Sequence, residues 1–319
     1  MKHSDLQPRR ALITGIAGFT GRYMAARLRA DGYRIHGTMQ GAADLDPADS
    51  PADEIHAVDL REPHAVADTI ASIRPDVVVH LAGIANVAHD DIANIWLVNV
   101  VGTRNLLAAL TKLDTPPRAV LLASSANVYG NAAEGVIDED VPPQPANDYA
   151  ASKLAMEFAA RTFSARLPLV FVRPFNYTGV GQSTDFLLPK IVDHYARREK
   201  TISLGNTDVS RDFSDVRFVV DAYARLIEAA PNGDTFNVCS GVGHTLGDVL
   251  ATLARIAGYT IDVRIDPRFV RTNEVRTLTG SNAKLRAAIG ELHPVALEDT
   301  LRWMYDEASE RYAALRVSA

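Results

Sequence analysis

Ala11-Leu12-Ile13-Thr14-Gly15-Ile16-Ala17-Gly18-Phe19-Thr20-Gly21 is the stretch whose reading decides the fold. A short apolar run ends in three glycines spaced three apart, and a helical pattern follows over residues 23–30. In the order strand, glycine turn, helix, backbone amides at a helix N-terminus can approach a pyrophosphate. The spacing is G-x-x-G-x-x-G where the commoner dinucleotide fingerprint is G-x-G-x-x-G, so the turn taken alone can also be read as a packing turn.

Outward from this turn, apolar runs at 32–38, 54–58, 76–83, 118–123 and 168–173 read as strands, and a long helical pattern covers about 90–113. The run Asp76-Val77-Val78-Val79-His80-Leu81-Ala82-Gly83 is continuous, as expected of a strand buried on both faces. Strands alternating with helices predict an α/β fold, a doubly wound parallel Rossmann sheet. The second strand ends in Thr38-Met39-Gln40, and no acid occurs until Asp44. A carboxylate grip on the ribose 2′-hydroxyl is therefore not expected there, and a 2′-phosphate would not be repelled. Arg22, just after the third glycine, is a candidate phosphate partner, with a solvated helix arginine as the alternative.

Residues 41–53 read as a surface loop. Beyond residue 175 the alternation loosens. Helices are expected near 188–198, 217–230, 246–258 and 297–314, with a strand near 235–238. The predicted division is a dinucleotide-binding domain over 1–175, to which 207–240 return, and a smaller α/β substrate subdomain over 176–319.

Composition narrows the class. The 319 residues are 47% apolar and 23% charged with a formal charge of −6, which argues against nucleic acid as the main partner and requires a local basic pocket for any anionic substrate. The single Cys239 rules out an internal disulfide framework and a cysteine-based metal site; a small buried side chain in a reducing cytoplasm is expected, and no metal. No apolar run reaches membrane-spanning length, and residues 1–10 lack the apolar centre of a signal peptide.

The chemistry centres on Asn147-Asp148-Tyr149-Ala150-Ala151-Ser152-Lys153, which opens an Ala-rich helix. Residues four apart share a helix face, so the Tyr149 phenol and the Lys153 ammonium project into one volume. A free tyrosine titrates near pH 10, and a cation within about 6 Å favours its phenolate. The pair is thus a candidate general acid, although Tyr-x-x-x-Lys alone is a common chance pattern.

With these pieces in order the chain resembles the extended short-chain dehydrogenase/reductase family over about 10–310. The matching motifs are T-G-x-x-G-F-x-G at Thr14 to Gly21, D-L at Asp59-Leu60, H-L-A-G at His80 to Gly83, N-V-x-G-T at Asn99 to Thr103, S-S-x-x-V-Y-G at Ser124 to Gly130, Y-x-x-x-K at Tyr149 to Lys153 and R-P-F-N at Arg173 to Asn176. The resemblance implies that Ser125 bonds a substrate carbonyl, Tyr149 exchanges its proton and Lys153 holds the nicotinamide ribose. It implies a cofactor group of Gly15, Gly18, Phe19, Thr20, Gly21, Arg22, Asp59, Leu60, Leu81, Ala82, Gly83 and Asn99 with Tyr149 and Lys153. NADPH, NADH or both are expected, NADPH slightly preferred. A homodimer built from the helices near Asp90 and Tyr149 is implied as well.

In the second half, Arg173 to Gln182, Ser210 to Val216, Asn237 to Gly241 and Arg271 to Val275 resemble GDP-4-keto-6-deoxy-mannose reductases and GDP-mannose 4,6-dehydratases. This likeness implies that Asn176, Lys190 and Arg211 meet a diphosphate or its surroundings and that Arg271 and Glu274 hold the nucleoside, while Asn86 lies in the loop expected to meet the sugar. For Arg211 an ion pair with Asp212 or Asp215 is the structural alternative. Dehydratases of this group carry threonine followed by an acidic residue in the loop two residues before the V-Y-G or L-Y-G segment, because elimination of water needs a carboxyl group. This chain has Ser125-Ala126-Asn127 there. Reduction of the C4 ketone of GDP-4-keto-6-deoxy-D-mannose to GDP-D-rhamnose is the expected activity. The alternatives are formation of GDP-6-deoxytalose or of a GDP-6-deoxy-heptose, GDP-mannose 4,6-dehydration, 4-epimerisation of a nucleotide sugar, and a dinucleotide-sensing binding protein without turnover.

Overall fold

The computed structural model describes residues 8–41, 50–85, 91–130, 135–267 and 277–317. In chain order the first elements are β1 (Arg10–Thr14), α1 (Phe19–Ala30), β2 (Arg34–Met39), β3 (Glu54–Ala57), α2 (Pro63–Ile73), β4 (Val77–His80), α3 (Ile92–Trp96), a π-helical turn (Leu97–Gly102) and α4 (Thr103–Leu110). Then come β5 (Ala119–Ala123), a 3-10 turn (Ala126–Tyr129), β6 (Val136–Ile137), α5 (Asp148–Arg161), β7 (Leu169–Pro174), β8 (Asn176–Thr178), α6 (Leu187–Ala196), β9 (Thr201–Leu204) and β10 (Ser210–Asp215). The chain closes with α7 (Val216–Ala229), β11 (Thr235–Val238), β12 (Gly243–Thr245), α8 (Leu246–Ala257), β13 (Asp262–Ile265), β14 (Thr277–Gly280), α9 (Ala283–Ile289) and α10 (Leu297–Val317).

Seven strands form the main sheet in the order β3-β2-β1-β4-β5-β7-β11, every neighbouring pair parallel. Successive side chains of a strand point to opposite faces, and both faces are covered here. Ala11, Ile13, Val77, Val79, Leu121 and Val170 pack under the helices of one face, and Leu12, Val78, Val120, Leu122, Leu169 and Phe171 under those of the other. The doubly wound Rossmann sheet read from the sequence is thus the architecture found. Its strand order reverses between β1 and β4, and that crevice at the strands' carboxyl ends is where α/β sheets bind ligands.

The predicted strand near 235–238 is β11, the outer strand beside β7. Away from the main sheet, β10 lies between β12 and β14, carries β8 on its carboxyl half, and β14 pairs β6. A third core packs between α6, α8 and α10 around Ile191, Val192, Val249, Leu253 and Leu301.

The single helix expected over 90–113 is different in detail. Residues 92–110 are helical, but the wider π turn Leu97–Gly102 interrupts them. Two of its residues, Asn99 and Gly102, make close contacts outside the helix. The Asn99 side chain is bonded to the backbone of Ile84, and a Cβ on Gly102 would stand 3.0 Å from Leu60 Cβ. Such bulges recur where a helix serves a site.

Candidate active site

The glycine turn is built for close backbone approach. Gly15 has φ +72°, and a Cβ on it would stand 2.9 Å from the backbone of Ala82. A Cβ on Gly21 would stand 2.5 Å from Gly15 O and 2.6 Å from Ile16 O. Helix α1 starts after Gly18, which offers no side chain to cap the first amides, and its first turn carries no acid. Uncapped amides at the positive end of a 12-residue helix fit an anion such as a pyrophosphate. Within that turn Phe19 stacks on Tyr177 at 6.1 Å, and the Thr20 hydroxyl bonds the Tyr177 phenol at 2.8 Å. Arg22 is exposed and reaches back over the loop to Ala17 O at 3.2 Å.

Behind the turn runs a hydrogen-bond chain whose protons can be assigned. Ala82 N donates to Thr14 Oγ1, which lies 2.7 Å from His80 Nδ1, and His80 Nε2 lies 2.8 Å from Thr103 Oγ1. Thr103 donates its own proton to Asn99 O, so His80 must donate from Nε2 and accept at Nδ1. Burial, with Lys153 nearby, pushes the His80 pKa down to about 3, in keeping with that neutral tautomer. Asn99, expected in the cofactor group, donates to Ile84 O and Ser152 Oγ and accepts from Ile84 N. Its side chain is a scaffold for the loop after Gly83 and for α5.

Helix α5 is opened by Asn147, whose side chain accepts from Ala150 N at 2.9 Å. It buries Tyr149, Ser152, Lys153 and Glu157 on the face turned toward β5 and β7. Ser125 caps the 3-10 turn and accepts from Asn127 N at 3.1 Å, which leaves its hydroxyl proton available. The Ser125 hydroxyl also neighbours the Tyr149 phenol. Burial pushes Tyr149 up to about 12; Ser125 lowers it and the neighbouring Tyr177 raises it further.

The expected lowering of Tyr149 by Lys153 is therefore not what governs this phenol. The Lys153 ammonium instead donates to Ala123 O at 2.8 Å, and a Cβ on Gly83 would stand 3.2 Å from its Nζ. Burial pushes Lys153 itself down to about 8, and Glu157, one helical turn on, raises it. Glu157 in turn receives Arg173 Nε and Nη2 at 2.9 and 2.7 Å, a forked pair in which both side chains are buried. Arg173 Nη1 donates to the Tyr129 phenol at 3.1 Å, and Tyr129 donates to Asn237 Oδ1 at 2.7 Å. Glu157 and Tyr129 were missed as site residues in the sequence reading. The signal for Glu157 was its spacing, four residues after Lys153 on the same face.

Asp59 and Leu60 lie just past β3, where Asp59 is held by Arg61 and accepts from Gln40 Nε2 at 3.1 Å. Leu60 packs under Gly102. Leu81, Ala82 and Gly83 follow β4 along the same edge. Among the expected substrate residues, Asn176 is exposed at the start of β8, Lys190 Nζ donates to Ser203 O at 3.2 Å, and Arg211 in β10 donates to Ser210 O at 2.9 Å. The carboxylates weighed as partners for Arg211 have other bonds: Asp212 accepts from Ser240 and Gly241, and Asp215 pairs with Arg217. Asn86, Arg271 and Glu274 lie outside the described residues. A surface hollow of about 500 Å³ between the ends of α1 and α7 is lined by Arg27, Arg225 and Glu228, but these charges are paired and sit at the opposite end of the strands from Tyr149.

Comparison with known proteins agrees with this arrangement. The family model described as GDP-mannose 4,6 dehydratase matches residues 12–304. The chain is 34% identical to the GDP-6-deoxy-D-mannose reductase of Pseudomonas aeruginosa, covering 95% of this chain and 98% of that protein. It is 31% identical to the GDP-6-deoxy-D-talose 4-dehydrogenase of Aggregatibacter actinomycetemcomitans, covering 88% and 90%. A crystal structure from Burkholderia cenocepacia J2315 that carries the provisional description of an epimerase superposes with TM-score 0.91 at 59% identity, covering 95% of this chain and 98% of that one. RMD from Pseudomonas aeruginosa complexed with NADPH superposes with TM-score 0.82 at 32% identity, with the same coverage. The chain belongs to the GDP-mannose 4,6-dehydratase family of extended short-chain dehydrogenase/reductases, an NAD(P)-dependent nucleotide-sugar enzyme of the oxidoreductase and epimerase type.

Proposed function

We propose that this chain reduces the C4 ketone of GDP-4-keto-6-deoxy-D-mannose to GDP-D-rhamnose, in the cytoplasm and in the nucleotide-sugar supply for cell-surface polysaccharide. The observation that carries the reading is the loop after Ser125. Residue 126 there is a buried alanine and residue 127 an asparagine, whose amide has no acidic proton, so neither supplies the carboxyl group that elimination of water requires. The same loop leaves Ser125 and a protonated Tyr149 facing one another, which is the equipment of a carbonyl reduction.

The cradle at Gly15, Gly18 and Gly21, with the first-turn amides of Phe19, Thr20 and Gly21, holds a dinucleotide pyrophosphate. Arg22, Asp59 and Leu60 serve its adenosine end; Leu81, Ala82 and Gly83 line its path, and Lys153 donates to the nicotinamide ribose. When bound, reduced NADPH or NADH supplies the hydride to C4. Ser125 polarises the ketone oxygen and Tyr149 gives its proton to that oxygen as it becomes an alkoxide, a far stronger base than a phenolate with a pKa of about 12. Asn176, Lys190 and Arg211, with Arg271 and Glu274, take the GDP portion, since forked guanidinium donors match diphosphate oxygens. Residues 1–175 with 207–240 serve the cofactor, and 176–319 chiefly the sugar nucleotide.

The relative named for the talose epimer supports a second reading in which the other face of the ketone is reduced. NMR of the product made from GDP-4-keto-6-deoxy-D-mannose separates the two at C4. Consumption of one reduced nicotinamide per keto sugar is expected; conversion of a 4-hydroxy GDP-sugar into its C4 epimer with no net nicotinamide consumed would replace the reductase by an epimerase.

A second copy of the chain is the proposed protein partner. Ile92, Trp96, Leu97 and Val101 are exposed along α3 and the π turn, and Phe158 is 66% exposed on α5. Trp96 Nε1 lies 3.4 Å from Asp148 Oδ1, which holds the two helices as one apolar face. Light scattering should give a dimer that Leu97→Glu dissociates, and a monomeric wild type would sink this part.

A further inference from the structure

At the outer edge of the main sheet, far from α5, two histidines and a glutamate converge. In the β2–β3 pair His36 lies opposite Glu54, and His56 follows two residues on, so all three side chains share one face. His36 Nδ1 is 3.4 Å from His56 Nε2 and 3.6 Å from Glu54 Oε2, and the last two atoms are 4.0 Å apart. Nitrogen and oxygen atoms joined by good hydrogen bonds lie roughly 2.7–3.2 Å apart, so this triangle is too wide for that purpose. It does match donors around one small cation: the point equidistant from the three atoms is about 2.1 Å from each, within the roughly 2.0–2.2 Å of zinc–imidazole and zinc–carboxylate bonds.

From this spacing we infer that His36, Glu54 and His56 form a site for a divalent transition metal ion such as Zn²⁺. The donor set suits it. Imidazole and carboxylate together favour zinc and its neighbours over calcium or magnesium. Arg34 Nη2 engages Glu54 Oε1 at 2.6 Å, which fixes the carboxylate with Oε2 turned to the rings. The His36 ring is almost wholly buried, and its Nε2 has no hydrogen-bond partner, so no bond on that side holds the ring; its other nitrogen is the one aimed at the cluster. Burial lowers the His36 pKa, which favours the neutral ring that a metal needs. Arg34 and Arg10 place positive charge nearby and moderate the affinity. Three protein donors leave a fourth position open to water, and a bound ion would clip the edge strand β3 to β2.

The test uses the full-length chain without a histidine tag. Titration with ZnCl₂ by calorimetry, and with CoCl₂ followed by its visible absorption, should give one saturable site per chain. His56→Ala and Glu54→Gln, both at partly exposed positions, should each weaken Zn²⁺ binding at least tenfold while circular dichroism stays unchanged. Absence of saturable binding in the wild type would overturn the site, as would undiminished wild-type affinity in both variants, which would assign the ion to other histidines. A cobalt spectrum typical of six-coordinate water-rich binding would overturn it too.

Discussion

The glycine cradle before α1 and the Tyr149 face of α5 stand at neighbouring strand ends but are specified in opposite ways. The cradle works with backbone. Its demands are steric and local, since a Cβ added at Gly15 or Gly21, the two ends of one seven-residue turn, would fall 2.9 or 2.5 Å from backbone atoms. The α5 face works with side chains that are buried and charged or acidic, its protonation states set by burial and by Ser125, Tyr177 and Glu157, and its hydrogen bonds run through Arg173 of β7 to Asn237 of β11. A site made of backbone tolerates almost any side chain that does not collide. A site made of buried ionisable groups is altered by its neighbours' charges.

The largest effect is expected at the side-chain site. Tyr149→Phe should keep the fold and nucleotide binding yet slow turnover by roughly 10²- to 10⁴-fold, because it removes the acid and keeps the ring. Near-normal turnover would take Tyr149 out of the mechanism.

Glu157→Gln attacks the same face from behind. It leaves the buried Arg173 guanidinium without its carboxylate, a loss of about 3–5 kcal/mol in denaturant unfolding. It also removes the charge that raises Lys153. Activity that needs the ammonium falls as pH passes about 8 in the wild type, and in the variant this alkaline limb of kcat/KM should move to lower pH. The double variant Glu157→Leu/Arg173→Leu should recover stability but not the limb; recovery of both would make the pair purely structural. The sign for stability follows from the depressed lysine. Between about 8 and the unfolded value near 10.4 the unfolded chain binds more protons, so Lys153 makes stability rise with pH across that window, while below it the burial cost is present in full.

Gly21→Ala tests the backbone site. Its Cβ meets two carbonyl oxygens that cannot swing aside, so the dinucleotide dissociation constant should rise about ten- to a hundredfold, equivalent to roughly 1.4–2.8 kcal/mol. Gly18→Ala, whose nearest neighbour would be 3.2 Å away, should cost much less. Equal effects in fluorescence titrations with NADPH would contradict the steric account.

This contrast also explains what the sequence disclosed. Buried parallel strands are short apolar runs, and a helix N-terminus that approaches an anion needs glycines at fixed spacing, so the main sheet and its cradle were legible without contacts. Tyr149 and Lys153 were legible as neighbours on one helix face, and Ser125 as the end of a buried strand, while the roles proposed for them rest on the family resemblance. The direction of the Tyr149 shift was not legible, because burial is a property of the packed chain and outweighs the lysine. The π turn at Leu97–Gly102 escaped as well, and the Ile84 backbone that Asn99 satisfies lies outside the helix. Strands β8, β10 and β14 escaped because they pair with partners distant in sequence.

The smallest effect separates the two sites most finely. Arg22 stands beside the cradle but acts through a side chain, exposed and bonded only weakly to Ala17 O. At the end of β2, Gln40 leans on Asp59 and Asp59 is itself neutralised by Arg61, so the ribose edge presents no unpaired acid at these positions. A 2′-phosphate there would meet a cation at Arg22 and no carboxylate that repels it. Exposed ion pairs contribute at most about 1 kcal/mol, so Arg22→Ala should raise KM for NADPH about two- to fivefold and leave KM for NADH unchanged. The ratio of the two should also shrink as salt is added, since the charge is screened. Steady-state kinetics with both cofactors at two ionic strengths decides it. A strong NADH preference that Arg22→Ala does not move would mean that the backbone cradle alone selects the cofactor, and that this arginine is only a solvated residue on the first turn of a helix.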